Sequence, residues 1–126
     1  MLNAVDIKEE NIHIPDGSIA PEKVSEYCAE FDKLARGLDL LVIGMGEHGQ
    51  VGFNEAGSSP SSRTRTVLLS YQSRKRQGKN FNGDFKHTPS EAITIGIDTM
   101  HSAKKIILMA WGEDKANAVK NGVGNM

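Results

Sequence analysis

Cysteine is almost absent: the 126-residue chain holds only Cys28. A lone thiol cannot close an internal disulfide, so a reducing, cytoplasmic setting is the expectation. No apolar run comes near the ~20 residues that span a bilayer. Met1–Ile14 alternates charged and apolar residues and contains no signal-peptide core. A surplus of either charge is missing too. The net charge of −1 argues against general binding to nucleic acid or an anionic membrane, although a local basic cluster still suits one small phosphate ligand. Repeats, low-complexity tracts and linkers are likewise missing. What remains is 38% hydrophobic and 25% charged residues, the balance of a folded globular chain rather than a disordered one. The length suits one domain.

The clearest element is a helix. Asp16, Gly17 and Ser18 form a turn, and Pro21 stands where a first helical turn tolerates a missing N–H. Val24, Tyr27, Cys28, Phe31, Leu34 and Ala35 then fall on one face of a 3.6-residue period, and Gly37 is a natural stop. On that face Cys28 reads as a small buried hydrophobe rather than a nucleophile. Leu38–Ile43 is a short apolar run suited to a strand covered on both faces. Gly57–Ser62 reads as a loop and Thr66–Leu69 as a short strand. Gln72–Asn80 is basic and helical in character, with a weak apolar face, and Asn82–Asp84 is a turn. Ala92–Ile97 reads as a second buried strand, Asp98–Ser102 as a short helical crossover and Ile106–Trp111 as a third strand. Gly112 follows, leading into a helix from about Asp114 to Lys120. Helices alternating with buried strands predict an α/β fold, a Rossmann-like three-layer sandwich with a mainly parallel sheet. Residues 1–126 are expected to form one partial domain of that kind. Ligands in such sheets bind beyond the carboxyl ends of the strands, so chemistry is expected after Ile43 and after Trp111.

Gly44, Gly46 and Gly49 satisfy a G-x-G-x-x-G pattern after a strand, which raises a dinucleotide site. Such a site needs a helix immediately after the turn, to aim its N-terminal amides at the pyrophosphate. Here the chain continues Gln50, Val51, Gly52, Phe53, Asn54, Glu55, Ala56, Gly57, with two more glycines and no apolar period. The nucleotide reading is weak, and a connection that merely turns the chain explains the three glycines equally well.

The longer string GMGEHGQVGFNEAGSSPSSRTR, from Gly44 to Arg65, is more specific. It resembles the signature of glucosamine-6-phosphate deaminases, in which glycine-x-glycine-x-aspartate-glycine-histidine is followed by phenylalanine-asparagine-glutamate, a serine-rich loop and arginine-threonine-arginine. The likeness runs on without gaps through Phe81, Asp84, Pro89, Thr94, Gly96, Thr99, Gly112, Lys115 and Ala116, and upstream through Glu10–Asn11–Ile12. It therefore covers nearly the whole chain. The resemblance implies conversion of glucosamine 6-phosphate and water to fructose 6-phosphate and ammonia, with no redox cofactor and no metal. That reaction needs a proton shuttle near the ring oxygen and a carboxylate near C2.

By the same resemblance Glu55 matches the catalytic glutamate. Gln50 stands in the place of the shuttle histidine, and His48 in that of the aspartate. A carboxamide has no titratable proton near neutrality, so Gln50 can hold a sugar hydroxyl but cannot inherit the shuttle. His48 reads either as a relocated shuttle, favoured and oriented by Glu55, or as a structural histidine. Two positions along a tight turn usually point elsewhere, which favours the second. The family pattern makes Gly44, Lys79 and Lys115 substrate- and phosphate-binding residues. Lys115, opening a helix after a strand and glycine, would offer a cation beside free backbone amides. Lys79 keeps the charge of a family arginine but not its planar fork. Ser58, Ser59 and Arg65 match an activating second sugar-phosphate site, with Val67 replacing its lysine. Leu69–Pro89 resembles the family's active-site lid, with Arg74, Lys75 and Arg76 as a solvated face. His13, His87 and His101 are scattered, without ligand spacing.

The family's phosphate loop and its C2 aspartate have no counterpart here, and neither do the final strands beyond Met126. A truncated chain is expected from this, inactive by itself, with exposed strand edges that favour a homo-oligomer. The expected ligand is a small phosphorylated amino sugar. The rivals are a non-catalytic, regulatory sugar-phosphate module and a related phosphosugar lactonase. The Phe53–Asn54–Glu55 triplet favours the deaminase branch over the lactonase.

Overall fold

Helix α1 spans Val24–Ala35. Its approach is fixed by the Asp16 carboxylate, which accepts the Ser18 N–H at 2.8 Å and the Ser18 hydroxyl at 2.6 Å. The Tyr27 hydroxyl takes the Asp16 N–H at 2.7 Å. Gly37, with φ +70°, turns the chain away past the helix end, a conformation that costs glycine little. The computed structural model describes residues 4–123.

Four short strands follow. Strand β1, Leu41–Gly44, lies parallel to β4, Ile106–Met109, with Leu41 opposite Ile106 and Gly44 opposite Met109. Strand β2, Arg65–Leu68, runs antiparallel to β3, Glu91–Thr94, with Arg65 opposite Thr94. The remaining helices are α2 (Tyr71–Gln77), α3 (Ile97–His101) and α4 (Ala116–Val123), and 3-10 turns cover Glu9–Asn11, Gly78–Phe81 and Glu113–Lys115. The class is α/β, as expected. Among the described residues the strands form two separate pairs, one parallel and one antiparallel. No described helix is long and apolar enough to cross a membrane.

The expected burial of the strands on both faces is corrected. Val42 is 50% exposed, and every residue of β4 lies between 36% and 48%. No other described strand joins this pair, so its apolar side chains meet water.

The interior lies instead between α1, β2, β3 and α3, and it is more polar than the composition implies. Cys28, Ala35 and Met100 are its buried apolar residues, whereas Asp32, Asn54, Thr64, Thr94 and Thr99 are buried polar ones. The buried stripe of α1 is Cys28, Asp32 and Ala35, rotated away from Leu34, which is exposed. The Asp32 carboxylate explains the rotation. It accepts the Thr64 N–H at 2.9 Å, the Thr64 hydroxyl at 2.7 Å, the Thr99 hydroxyl at 2.5 Å and Arg63 Nη1 at 3.1 Å. Burial disfavours the charge of Asp32, but these four donors outweigh it and hold the carboxyl far below the usual range. Burial pushes the Cys28 thiol up, in keeping with a packing role.

Two further contacts seat the loops. A Cβ at Gly96 would lie 2.1 Å from the Ser62 carbonyl oxygen, so only glycine lets the serine-rich loop touch the start of α3. There the Ser62 carbonyl accepts the Asp98 N–H at 3.0 Å. Asn54, buried, donates from Nδ2 to the carbonyls of Val51 at 3.1 Å and Ile95 at 2.8 Å, mooring the segment after β1 to the end of β3.

Candidate active site

The turn after β1 closes on itself. The Gly46 N–H donates to the Gln50 carbonyl at 2.8 Å, and the Gly49 N–H to the Gly46 carbonyl at 3.0 Å. The Gln50 side chain lies back across Gly46, where a Cβ would come within 2.3 Å of its Cδ. Its carboxamide oxygen accepts the His48 N–H at 2.9 Å. No helix follows. Val51 bridges to Met45 and Asn54, and the next helix begins at Tyr71. This removes the structural requirement of a dinucleotide site.

Glu55 follows the Asn54 mooring and meets the start of α2. The hydroxyls of Ser70 and Ser73 donate to Glu55 Oε1 at 2.7 and 2.6 Å. Ser70 is also the N-cap of α2, its oxygen accepting the Ser73 N–H at 3.2 Å. The bond from Ser73, then that from Ser70, holds the Glu55 carboxyl below its usual range; burial opposes them and the charge of His48 assists. Glu55 is therefore an anion at neutral pH, placed to attract a cation rather than to deliver a proton.

His48, Gln50 and Glu55 line one cavity of about 220 Å³ with Ala56, Ser70 and Gln72. On its other side His48 lines a larger cavity of about 500 Å³, in which Met45, Glu47 and Gly49 of the turn face Asn117, Ala118, Asn121 and Gly122 of α4. Its size falls within the roughly 300–1,000 Å³ of small-molecule sites. The turn after β1 and the helix after β4 thus border a common cleft. Gly44 ends β1, with open space where a Cβ would point.

Lys115 departs from its expected setting. It closes the 3-10 turn Glu113–Lys115, one residue before α4. Its N–H is spent on the Gly112 carbonyl at 3.1 Å, and its ammonium pairs with Asp114. The free amides and free cation expected there are corrected accordingly, because the tight turn consumes both. Lys79 is exposed in the turn after α2 and has no hydrogen bond or ion pair among the described residues.

Ser58, Ser59 and Arg65 are brought together around a third cavity of about 410 Å³. Arg65 Nη2 reaches the Ser58 hydroxyl at 3.5 Å, and its Nη1 donates to the Arg63 carbonyl at 3.2 Å. Val67 contributes an apolar wall, and Glu55 borders this cavity as well as the first.

The basic run 74–76 is not simply a solvated face. Arg74 donates to the carbonyls of Phe85 at 3.2 Å and Thr88 at 3.0 Å and lies 4.2 Å from the Phe85 ring centroid. Arg76 Nη2 pairs with Glu47 Oε2 at 3.1 Å. Part-buried carbonyls and a carboxylate within reach of α2 recruit both guanidinium groups. Sequence reasoning also missed Ser70 and Ser73, whose signal, a Ser-x-x-Ser spacing at a helix start, was legible. The buried role of Asp32 had none, since its donors come from residues 31 to 67 positions away. Among the described residues no group of three or more His, Cys, Asp and Glu is placed to hold a metal.

Comparison with known proteins places this geometry. The model of glucosamine-6-phosphate isomerases/6-phosphogluconolactonases matches residues 1–125. A glucosamine-6-phosphate deaminase of Hahella chejuensis is 42% identical over 122 residues, covering 95% of this chain and 46% of the relative. One from Phocaeicola vulgatus is 37% identical over 125 residues, covering 97% and 47%. The solved structure of a monomeric glucosamine-6-phosphate deaminase superposes with a TM-score of 0.85 at 32% identity, over 98% of this chain and 52% of that one. The chain spans about half the length of these relatives. With a family match over nearly every residue and a shared fold, the chain belongs to the glucosamine-6-phosphate isomerase/6-phosphogluconolactonase family.

Proposed function

We propose that this chain supplies the acid–base and phosphate-gripping part of an amino-sugar phosphate site, for conversion of glucosamine 6-phosphate and water to fructose 6-phosphate and ammonia. One observation carries the proposal. Of the six residues around the 220 Å³ cavity, His48 and Glu55 alone have titratable side chains, and the charge of His48 favours the Glu55 anion. An imidazole has one ring nitrogen that can accept a proton and one that can donate it, the chemistry required for opening a sugar ring. Gln50, its oxygen engaged within the turn, serves as a positioning residue and a donor to hydroxyls. Lys115, Lys79 and Gly44 face the phosphate end of the ligand. Ser58, Ser59 and Arg65 form a second polar pocket suited to a regulatory sugar phosphate.

In this proposal residues 1–126 are part of one domain in a cytoplasmic protein that self-associates through its open strand edges. The chain alone does not turn over, because the carboxylate that moves the C2 proton is not among its matched residues. Calorimetry of the 126-residue chain with glucosamine 6-phosphate is expected to give binding heat, while a coupled ammonia assay stays at background. Ammonia release by the chain alone contradicts the missing base, and absence of binding contradicts the sugar-phosphate site.

A second reading, a sugar-phosphate module that binds without catalysis, is favoured by the engagement of Gln50 inside its own turn. The double change His48→Asp with Gln50→His, placed in a longer deaminase that contains this segment, separates the two. Increased ammonia release identifies the altered pair as the defect, and unchanged release removes that explanation.

A further inference from the structure

The short helix α2 is oriented by three separate ties. On one side the Tyr71 ring lies 5.1 Å from that of Phe85, and the Arg74 guanidinium lies 4.2 Å from the centre of the same ring. Next to it, the Ser70 and Ser73 hydroxyls grip Glu55 Oε1 at 2.7 and 2.6 Å. Gln72 and Arg76, one turn apart, share the remaining side, and Arg76 reaches Glu47 of the glycine-rich turn at 3.1 Å. That side of α2 therefore looks towards the turn after β1. Gln72 borders the 220 Å³ cavity there, together with His48, Gln50 and Glu55.

Most of the hydrogen-bonding capacity of this cavity wall is already spent. Ser70 donates to Glu55 and accepts the Ser73 N–H. The Gln50 carboxamide oxygen accepts the His48 N–H, which leaves that side chain with donors only. Ala56 has no polar side-chain atom. His48 and Glu55 titrate, and the Glu55 anion only accepts. Gln72 makes no hydrogen bond among the described residues. Of the lining side chains that do not titrate, it alone offers both a donor and an acceptor.

We propose that Gln72 is a ligand-binding residue of this cavity, holding a hydroxyl of a polyhydroxylated ligand beside His48 and Glu55. The assignment rests on the sugar-phosphate reading above and deepens it. A hydroxyl both gives and takes a hydrogen bond, and a carboxamide answers both. Being neutral, Gln72 does so without disturbing the charges of the His48–Glu55 pair, which a lysine or carboxylate in its place would shift. The hold of Ser70 and Ser73 on Glu55 fixes the backbone that carries it, so the carboxamide is placed rather than searching. Gln72 is exposed, and water answers it in the empty site. Its contribution is the net gain of exchanging those hydrogen bonds, not the larger cost of a buried group left unpaired.

The test uses the 126-residue chain and glucosamine 6-phosphate. Gln72→Met keeps the reach of the side chain and removes its polar end. Calorimetry is expected to show it weakened about three- to tenfold, while Gln77→Met stays within about twofold of the parent. Gln77 stands on the same helix, bonded to Asn80 and outside the cavity. Parent-like affinity in Gln72→Met overturns the assignment, and so does an equal loss in Gln77→Met. A second readout needs no variant: the side-chain amide resonances of Gln72 in the parent are expected to shift as the ligand saturates. Resonances that stay in place overturn the assignment, even should Gln72→Met fail to fold. A parent chain that binds no glucosamine 6-phosphate overturns the sugar-phosphate reading itself, a result distinct from binding that leaves Gln72 unmoved.

Discussion

The region of α1, β2, β3 and α3 and the region of β1, β4 and α4 solve the same problem differently. In the first, short elements that bury few apolar side chains are tied by one carboxylate, several threonines and an asparagine, each with donors or acceptors from distant segments. In the second, strands with the more apolar sequence pair by backbone bonds and leave their side chains in water. Within these 126 residues the interior sits where hydrogen-bond partners converge, because a buried polar group left unpaired costs more than an exposed isoleucine. The candidate cleft lies along the second region and borrows its rigid members, Glu55 and the Asn54 mooring, from the edge of the first.

The largest break in this contrast is expected from Gly96→Ala. The added methyl group would overlap the backbone at Ser62 and Arg63. A loss of more than about 4 kcal/mol, or failure to fold, is expected in urea denaturation. An unchanged midpoint would show that the serine-rich loop gives way.

Asp32→Ala comes next, at about 3–5 kcal/mol, since it strands donors built around a buried carboxylate. Its pH dependence has a definite sign. The folded carboxyl lies below the unfolded one, so its stabilisation is fully present above about pH 3.9 and is lost as the pH falls towards the folded value. The parent should therefore lose stability more steeply than Asp32→Asn when denaturation curves at about pH 3 and pH 7 are compared. Parallel losses in the two would assign the acid sensitivity to other groups.

Ser70→Ala removes both an N-cap and one hold on Glu55. A cost of about 1 kcal/mol in thermal unfolding is expected, with the Glu55 titration moving up towards its ordinary value by NMR. A loss of stability without that shift would make Ser70 a helix cap only. The smallest effect is expected in the open region. Ile107→Lys should change stability by no more than about 0.5 kcal/mol, yet reduce self-association in sedimentation velocity, since charge on an exposed strand blunts pairing between copies. A large stability loss instead would mean that the β1–β4 pair is covered in solution.

Much of the fold was legible in the residues. The turn at Asp16, the α1 helix and its Gly37 stop follow from local stereochemistry, and so do the strand ending at the glycine-rich turn and the helix after Gly112. Leu34 and Asp32 exchanged their expected environments, because helical period fixes which residues share a face but not which face meets the rest of the molecule. In the site, the Gly44–Arg65 string pointed to the segment that borders the cavities. Ser70, Ser73 and the Arg76–Glu47 pair were not assigned, since a charge run on a short helix reads as solvated until a neighbouring loop is known to lie within reach.

The sequence by itself determined the local turns, the order of helices and strands, the absence of a disulfide and the membership of a sugar-phosphate enzyme family. These depend on backbone stereochemistry and residue identity over a few neighbouring positions. Only the tertiary structure decided which carboxylates are held as anions, that Gln50 is folded into its own turn, and that the turn after β1 faces α4 across one cleft. Each of those depends on distances between residues far apart in the chain, and electrostatic and hydrogen-bond energies fall off too steeply with distance for sequence spacing to fix them.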